Sequence, residues 1–189
     1  TLVDVNVAAV ACARRTLAAN EIANASVHLR DGTDAVAAYD LVLSHLPRGR
    51  AVMEGLLRDA AVVLKPGGRF YLVAHKRAGV KGAIAYTAEL LGRCTVVRRK
   101  KGYHVALAVK DRPVSIPAYD GYHRFKTVVD GVPATVVSRP GVFAWDRVDD
   151  GTVALVKGLK ISAQESILDL GCGTGLLALV AARRGGQVT

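Results

Sequence analysis

The sequence predicts an α/β protein: a doubly wound, mostly parallel sheet of seven strands with an antiparallel hairpin at one edge. Three observations carry this. Short apolar, β-branched segments alternate with helical ones from Leu2 to Leu91. The stretch Ser166-Ile167-Leu168-Asp169-Leu170-Gly171-Cys172-Gly173-Thr174-Gly175 joins an apolar strand to an Ala/Leu/Val-rich helix, the opening βα unit of such a sheet. Two closing strands flank Arg99-Lys100-Lys101-Gly102, a hairpin connection.

Taken in order, Leu2-Val3-Asp4-Val5 is a short buried-strand pattern, and Val7 to Leu17 carries apolar residues at helical spacing. Ser26 to Leu29 is a second strand, ended by the turn-rich Arg30-Asp31-Gly32-Thr33-Asp34. Tyr39 to Ser44 is a third, followed by a Pro/Gly/Arg loop and a helix from about Ala51 to Leu64. Lys65-Pro66-Gly67-Gly68 reads as that helix's glycine stop, and Arg69 to Ala74 as the next strand. A helix near Val80 to Leu91 precedes strands near Thr95 to Arg98 and from Tyr103 to Val109. Between Asp111 and Pro140, Pro113, Pro117, Pro133 and Pro140 punctuate two β-branched runs around Asp130-Gly131, which predicts a small β flap. A helix from Thr152 to Leu159 leads to the strand before the glycines. At 189 residues the expectation is one domain, with parts 1–110, 111–150 as flap, and 151–189.

Composition narrows the class. Hydrophobic content of 51% with 22% charged residues excludes a disordered chain. No apolar run approaches a bilayer crossing and no leader pattern is visible, so the expected location is cytoplasmic, away from membranes. Cys12, Cys94 and Cys172 are too widely spaced for a disulfide framework or a zinc site, and no metal is expected. The net charge of +10 favours a polyanionic partner, nucleic acid above all.

The motif Asp169-x-Gly171-x-Gly173-x-Gly175 carries the most chemistry. Glycines let backbone amides approach a ligand, and the helix start behind them favours polar or anionic groups. A dinucleotide fingerprint needs Gly-x-Gly-x-x-Gly, but its third glycine position falls on Leu176, so a nicotinamide cofactor is disfavoured. The spacing resembles motif I of the class I S-adenosylmethionine-dependent methyltransferases. An acid at the end of the next strand would bind both ribose hydroxyls, the task open to Asp4, with Val5 beside it. Asp31-Gly32, after the strand that follows, sits where that fold places an acid or amide near the adenine.

Read from Asp111 to Thr189 and then from Thr1 to Lys110, the chain resembles small-domain ribosomal RNA guanine-N2 methyltransferases over nearly its whole length. Gly141-Val142-Phe143, Asp149-x-Gly151-Thr152, Leu64-Lys65-x-Gly67-Gly68 and Lys101-Gly102-Tyr103-x-Val105 carry that likeness beside the glycine motif. The resemblance implies a Rossmann-like methyltransferase fold in circularly permuted order, with Arg184 to Thr189 running into Leu2. The alternative is an excerpt spanning two tandem domains. It further implies S-adenosyl-L-methionine as cofactor, held by Asp169, Gly171, Cys172, Gly173, Gly175, Asp4, Val5, Asp31 and Gly32, with Phe143 and Asp149 on its cofactor side.

The family's (Asn/Asp/Ser)-Pro-Pro-aromatic motif orients an exocyclic amine towards the methyl group. Its counterpart is Ser44-His45-Leu46-Pro47, a partial match in which Ser44, His45 and Pro47 are the catalytic candidates. The implied reaction is methyl transfer to a guanine amine in ribosomal or other structured RNA. Two readings stand beside it: a non-catalytic cofactor- or RNA-binding domain, and a methyltransferase for a protein or small molecule. Arg98-Arg99-Lys100-Lys101, Arg48, Arg50 and Lys76-Arg77 are candidates for tracking phosphates, and Tyr103, Tyr119, Tyr122 and Trp145 for stacking a base. The assembly expected is a monomer or a homodimer, including one that exchanges elements between copies.

Overall fold

A computed structural model describes residues 1–31, 35–114 and 121–189. The chain divides into two compact units, Thr1–Pro117 and Ala118–Thr189, each described by itself below.

In the first unit, β1 (Leu2–Asp4) leads through Asn6 into α1 (Val7–Ala19) and β2 (Val27–Leu29). β1 and β2 pair in parallel, with Asp4 opposite Leu29. Then follow β3 (Tyr39–His45), α2 (Arg50–Val63), β4 (Leu64–His75), α3 (Val80–Leu91), β5 (Cys94–Lys100) and β6 (Tyr103–Val109). The last four strands form a sheet in the order β3-β4-β6-β5. β3 and β4 are parallel, while β6 runs antiparallel to both its neighbours, as the hairpin spacing predicts.

Alternation along β4 decides where the core lies. Phe70, Leu72 and Ala74 are fully buried, while the residues between them are only half-buried. The buried set packs on Met53, Leu57, Ala60 and Ala61 of α2 and on Val80, Ala83 and Leu91 of α3. Each large side chain there contributes about 1.5–3 kcal/mol by leaving water.

Lys65-Pro66-Gly67-Gly68 does not stop α2 as expected. The helix ends at Leu64 in extended backbone, and β4 starts at that residue. Long-range contacts set the corner. Lys110 Nζ donates to the carbonyls of Ala61 and Leu64 at 2.7 Å each, filling acceptors at the helix end. A Cβ on Gly68 would come within 2.8 Å of the Lys65 carbonyl oxygen and 2.9 Å of Leu64 Cδ2, so the close approach requires glycine. The β3–β4 register shifts between Tyr39 and Leu41 to accommodate it.

In the second unit, β7 (His123–Val129) and β8 (Val132–Ser138) form the predicted hairpin. Asp130 and Gly131 both have positive φ, 49° and 77°, the requirement of a two-residue type I′ turn. α4 (Asp150–Gly158), β9 (Ser166–Ile167), α5 (Leu176–Arg183) and β10 (Gln187–Val188) follow. Val156 of α4 with Leu176 and Val180 of α5 packs on Val129, Ala134 and Val136 of the hairpin. The Arg184 guanidinium ties these pieces together. It donates at 2.9 Å to the carbonyls of Val156 and Leu159 at the end of α4, and it pairs with Asp130 in the hairpin turn.

The mixed α/β architecture is present, but the described residues do not form one sheet of seven strands. They form four ladders, β1-β2, β10-β9, β3-β4-β6-β5 and β7-β8. The strand before the glycines contributes only Ser166 and Ile167, and its parallel partner is Gln187–Val188. Among the described residues no helix is long and apolar enough to cross a membrane.

Candidate functional site

The glycine motif forms a tight loop between β9 and α5. Gly171, Gly173 and Gly175 have φ of 80°, 53° and 74°, values that L side chains rarely adopt. A Cβ at Gly171 or Gly175 would meet nothing within 4 Å. The glycines are therefore required by backbone conformation, and the loop's outer side is left open. Gly175 N–H donates to the Cys172 carbonyl at 2.8 Å, turning the chain into α5, whose first amides receive no side-chain cap.

Asp169 completes the arrangement. Its Oδ2 is buried and has no hydrogen-bond partner among the described residues. A buried carboxylate oxygen without a donor is costly, so this atom fits a ligand group better than a closed fold. A Cβ at Gly173 would lie 4.0 Å from Val142 Cγ1, which brings the Gly141-Val142-Phe143 segment beside the loop. Phe143 is 77% exposed and available as an apolar cover. Cys172 is an exposed free thiol at the loop's tip.

Asp149 serves as N-cap of α4, accepting from the amides of Gly151 at 3.0 Å and Thr152 at 3.2 Å and from the Thr152 hydroxyl. That hydroxyl bond is the main reason its carboxyl titrates below the usual aspartate value, with the two amides adding to it against a burial effect of opposite sign. The acid expected on the cofactor side thus holds its own helix in place.

The remaining candidates lie in the first unit. Asp4 stands at the end of β1, exposed, with Oδ1 accepting from the Asn6 amide at 2.7 Å. Val5 beside it is 71% exposed and Asp31 is exposed, whereas Gly32 lies outside the described residues. Ser44 and His45 end β3, opposite Leu72 and Val73 of β4. The half-buried Ser44 hydroxyl donates to the His45 carbonyl at 3.2 Å. Leu46 is a core residue, 5% exposed, and its amide donates to the Val73 carbonyl; Pro47 is half-buried. An open depression of about 470 Å³, lined by Leu43, Ser44, His45, Tyr71, Leu72, Val73 and Val105, adjoins this strand end. Its walls are mostly apolar and hold no carboxylate.

Of the stacking candidates, Tyr103 is 44% exposed and faces two histidines edge-on, His75 at 5.2 Å and His45 at 6.4 Å between ring centres. His75 belongs to no sequence motif, because a lone histidine at a strand end carries no pattern; the adjoining Lys76-Arg77 was the available signal. Trp145 packs against His123, and Arg139 lies over Tyr122, so both rings have neighbours within their own unit. Tyr119 lies outside the described residues. Burial pushes the Cys94 thiol up to about 11, which leaves it unreactive near neutrality. No metal-holding cluster occurs among the described residues.

Comparison with known proteins adds the family. The model described as Methyltransferase small domain matches residues 1–107 and 133–189. A ribosomal RNA small subunit methyltransferase C of Pseudomonas putida is 33% identical over 78% of this chain and 44% of its own length. The protein of the same description from Psychromonas ingrahamii is 25% identical over 90% and 49%. A T. thermophilus 16S rRNA N2 methyltransferase (RsmC), solved in complex with AdoMet and guanosine, is 34% identical with a TM-score of 0.81, covering 93% of this chain and 49% of that one. The chain thus spans about half the length of the relatives it matches.

Proposed function

The chain belongs to the methyltransferase small domain family, and from that membership we propose that it carries the cofactor loop of an S-adenosylmethionine-dependent methyltransferase acting on a guanine exocyclic amine of ribosomal or other structured RNA. The observation that carries the reading is the loop of three left-handed glycines beside an uncapped helix start and an unpartnered buried Asp169 oxygen. When bound, the cofactor supplies a sulfonium methyl group for in-line transfer to the amine. The chain's own part is positioning. The backbone amides of Gly171 to Gly175 and the helix start hold polar ends of the cofactor, Asp169 accepts a hydrogen bond, and Val142 and Phe143 supply apolar cover. Asp149 caps the start of α4. A cytoplasmic setting and a monomer or homodimer accord with this reading.

Two chain organisations accommodate the loop. In a circularly permuted single domain, Asp4, Val5, Asp31 and Gly32 complete the site around Gly173. In two successive domains they belong to a different site. The ladders accommodate both, since a strand running from Gln187–Val188 on into Leu2–Asp4 would pair with β9 through its first part and with β2 through its second. Asp4→Ala separates the two. In the whole protein, calorimetry with S-adenosylmethionine should show a loss of about 1–3 kcal/mol for Asp169→Ala, as for an ionic hydrogen bond. The same loss for Asp4→Ala requires the permuted site; unchanged affinity requires two domains. No cofactor binding by the parent protein would overturn the function itself.

A non-catalytic role for the first unit is the second reading, favoured by the Ser44 bond to its neighbour's carbonyl and by the burial of Leu46 where the family keeps proline. Transfer to ribosomal RNA that survives Ser44→Ala and His45→Ala would support it. Cofactor binding with transfer only to a protein or small molecule would move the acceptor away from RNA.

A further inference from the structure

We propose that one edge of the four-stranded sheet, where β3 and β4 end and the β5–β6 hairpin turns, docks RNA through unpaired bases and their phosphates. The inference rests on the RNA half of the proposed function and needs nothing from the glycine loop. At this edge His45, His75 and Tyr103 are gathered from three strands, with Tyr103 directly opposite both His75 and Lys100 in the ladders. The Lys76 amide donates to the Gly102 carbonyl at 2.8 Å, which fastens the exit of β4 to the hairpin turn. Lys101 and Gly102 both have positive φ, 47° and 82°, so the turn is a tight two-residue connection that presents Lys101 at its tip. A side chain at position 102 would collide with the His75 ring; the absence of one is what lets that ring sit at the turn.

The charge around these rings is of one sign. Between Arg69 and Lys110 the chain has ten lysines and arginines against one acid, Glu89. Lys76, Arg77, Arg98, Arg99, Lys100 and Lys101 are all exposed, and none forms a salt bridge among the described residues. Unneutralised cations bordering a small group of rings, His45 and Tyr103 exposed and His75 half-buried, match single-stranded RNA, whose phosphates and base faces alternate at short spacing. The rings carry polar tips and are anchored in a ladder, which suits base stacking better than insertion into a lipid surface.

The test is fluorescence anisotropy of the whole protein with a labelled RNA hairpin bearing a single-stranded loop, titrated at several potassium chloride concentrations. Lys76→Ala/Arg77→Ala/Lys101→Ala should weaken binding about tenfold or more. The same triple change should reduce the log–log salt slope by about 2, because each single-strand phosphate that a cation neutralises adds roughly 0.7 to it. Tyr103→Leu should cost roughly fivefold or more, while Tyr103→Phe, which keeps the ring, stays within about twofold. Cofactor affinity measured without RNA should be the same in all variants. If the parent binds RNA and the triple variant keeps its full affinity and slope, the edge proposal fails and the RNA reading stands. If the parent binds cofactor but no RNA, both fall. Preference for anionic phospholipid vesicles over RNA would also overturn the proposal.

Discussion

At the β1–α1 corner, Asp4 accepts from the Asn6 amide and Asn6 in turn accepts from the amides of Ala8 and Ala9 at 2.8 and 3.3 Å, so the start of the helix is satisfied by its own chain. At the β9–α5 corner the strand-to-helix connection is longer and built around glycines, α5 receives no side-chain cap, and the Asp169 oxygen has no donor among the described residues. Each corner carries an aspartate ahead of its helix, Asp4 three residues before Val7 and Asp169 seven before Leu176, and they differ in who completes the hydrogen bonds. An Asn cap closes the first within the fold, whereas the second leaves donors and an acceptor for something from outside. The contrast also bears on Asp4 as a ribose ligand: one of its oxygens is already engaged in holding the turn.

The most severe way to break this comparison is Gly173→Val. A β-branched residue at φ 53° strains the loop by about 2–3 kcal/mol, and cofactor affinity should fall by roughly 30- to 150-fold in calorimetry. Retention of parental affinity would show that the open corner is not the ligand's corner. A smaller effect is expected from Asn6→Ala, which removes the internal cap of α1. Urea unfolding should show about 1 kcal/mol of lost stability, with cofactor affinity unchanged. A drop in affinity there would make the two corners functionally alike.

The mildest change sharpens the position of Asp149. Its folded carboxyl titrates below the ordinary value, so its stabilising contribution is complete above about pH 4 and is lost as the pH falls through the lower folded value. Asp149→Asn retains a capping side chain but has no carboxyl to titrate. Thermal unfolding should therefore differ little from the parent near neutrality, with a shallower decline in the acid range. An equal decline would place that titration elsewhere.

Local signals were legible wherever neighbouring residues decide the backbone. α3 runs from Val80 to Leu91 as expected because Gly79 and Gly92, both of positive φ, bound it on either side. The flap hairpin was readable from Asp130-Gly131, and the glycine loop from its spacing. Lys65-Pro66-Gly67-Gly68 misled because its outcome depends on Lys110, 45 positions along the chain from Lys65, and on Tyr39 across the ladder. Strand partnership was hidden for a related reason. The permuted order runs Gln187–Val188 on into Leu2–Asp4, and local periodicity does not tell that the first pairs with Ser166–Ile167 and the second with Val27–Leu29. At the acceptor end, Leu46 reads as one letter of a partial motif until its burial shows that it belongs to the core.

Arg184, the tie between α4, α5 and the hairpin turn, acts mechanically as a pivot. It grips the end of α5 opposite the glycine loop, eight residues and about 12 Å of helix away. Fastening the far end fixes the direction of the helix axis, while the near end needs no anchor that would obstruct an incoming molecule. The second unit can thus be stiff in orientation and open in chemistry at once.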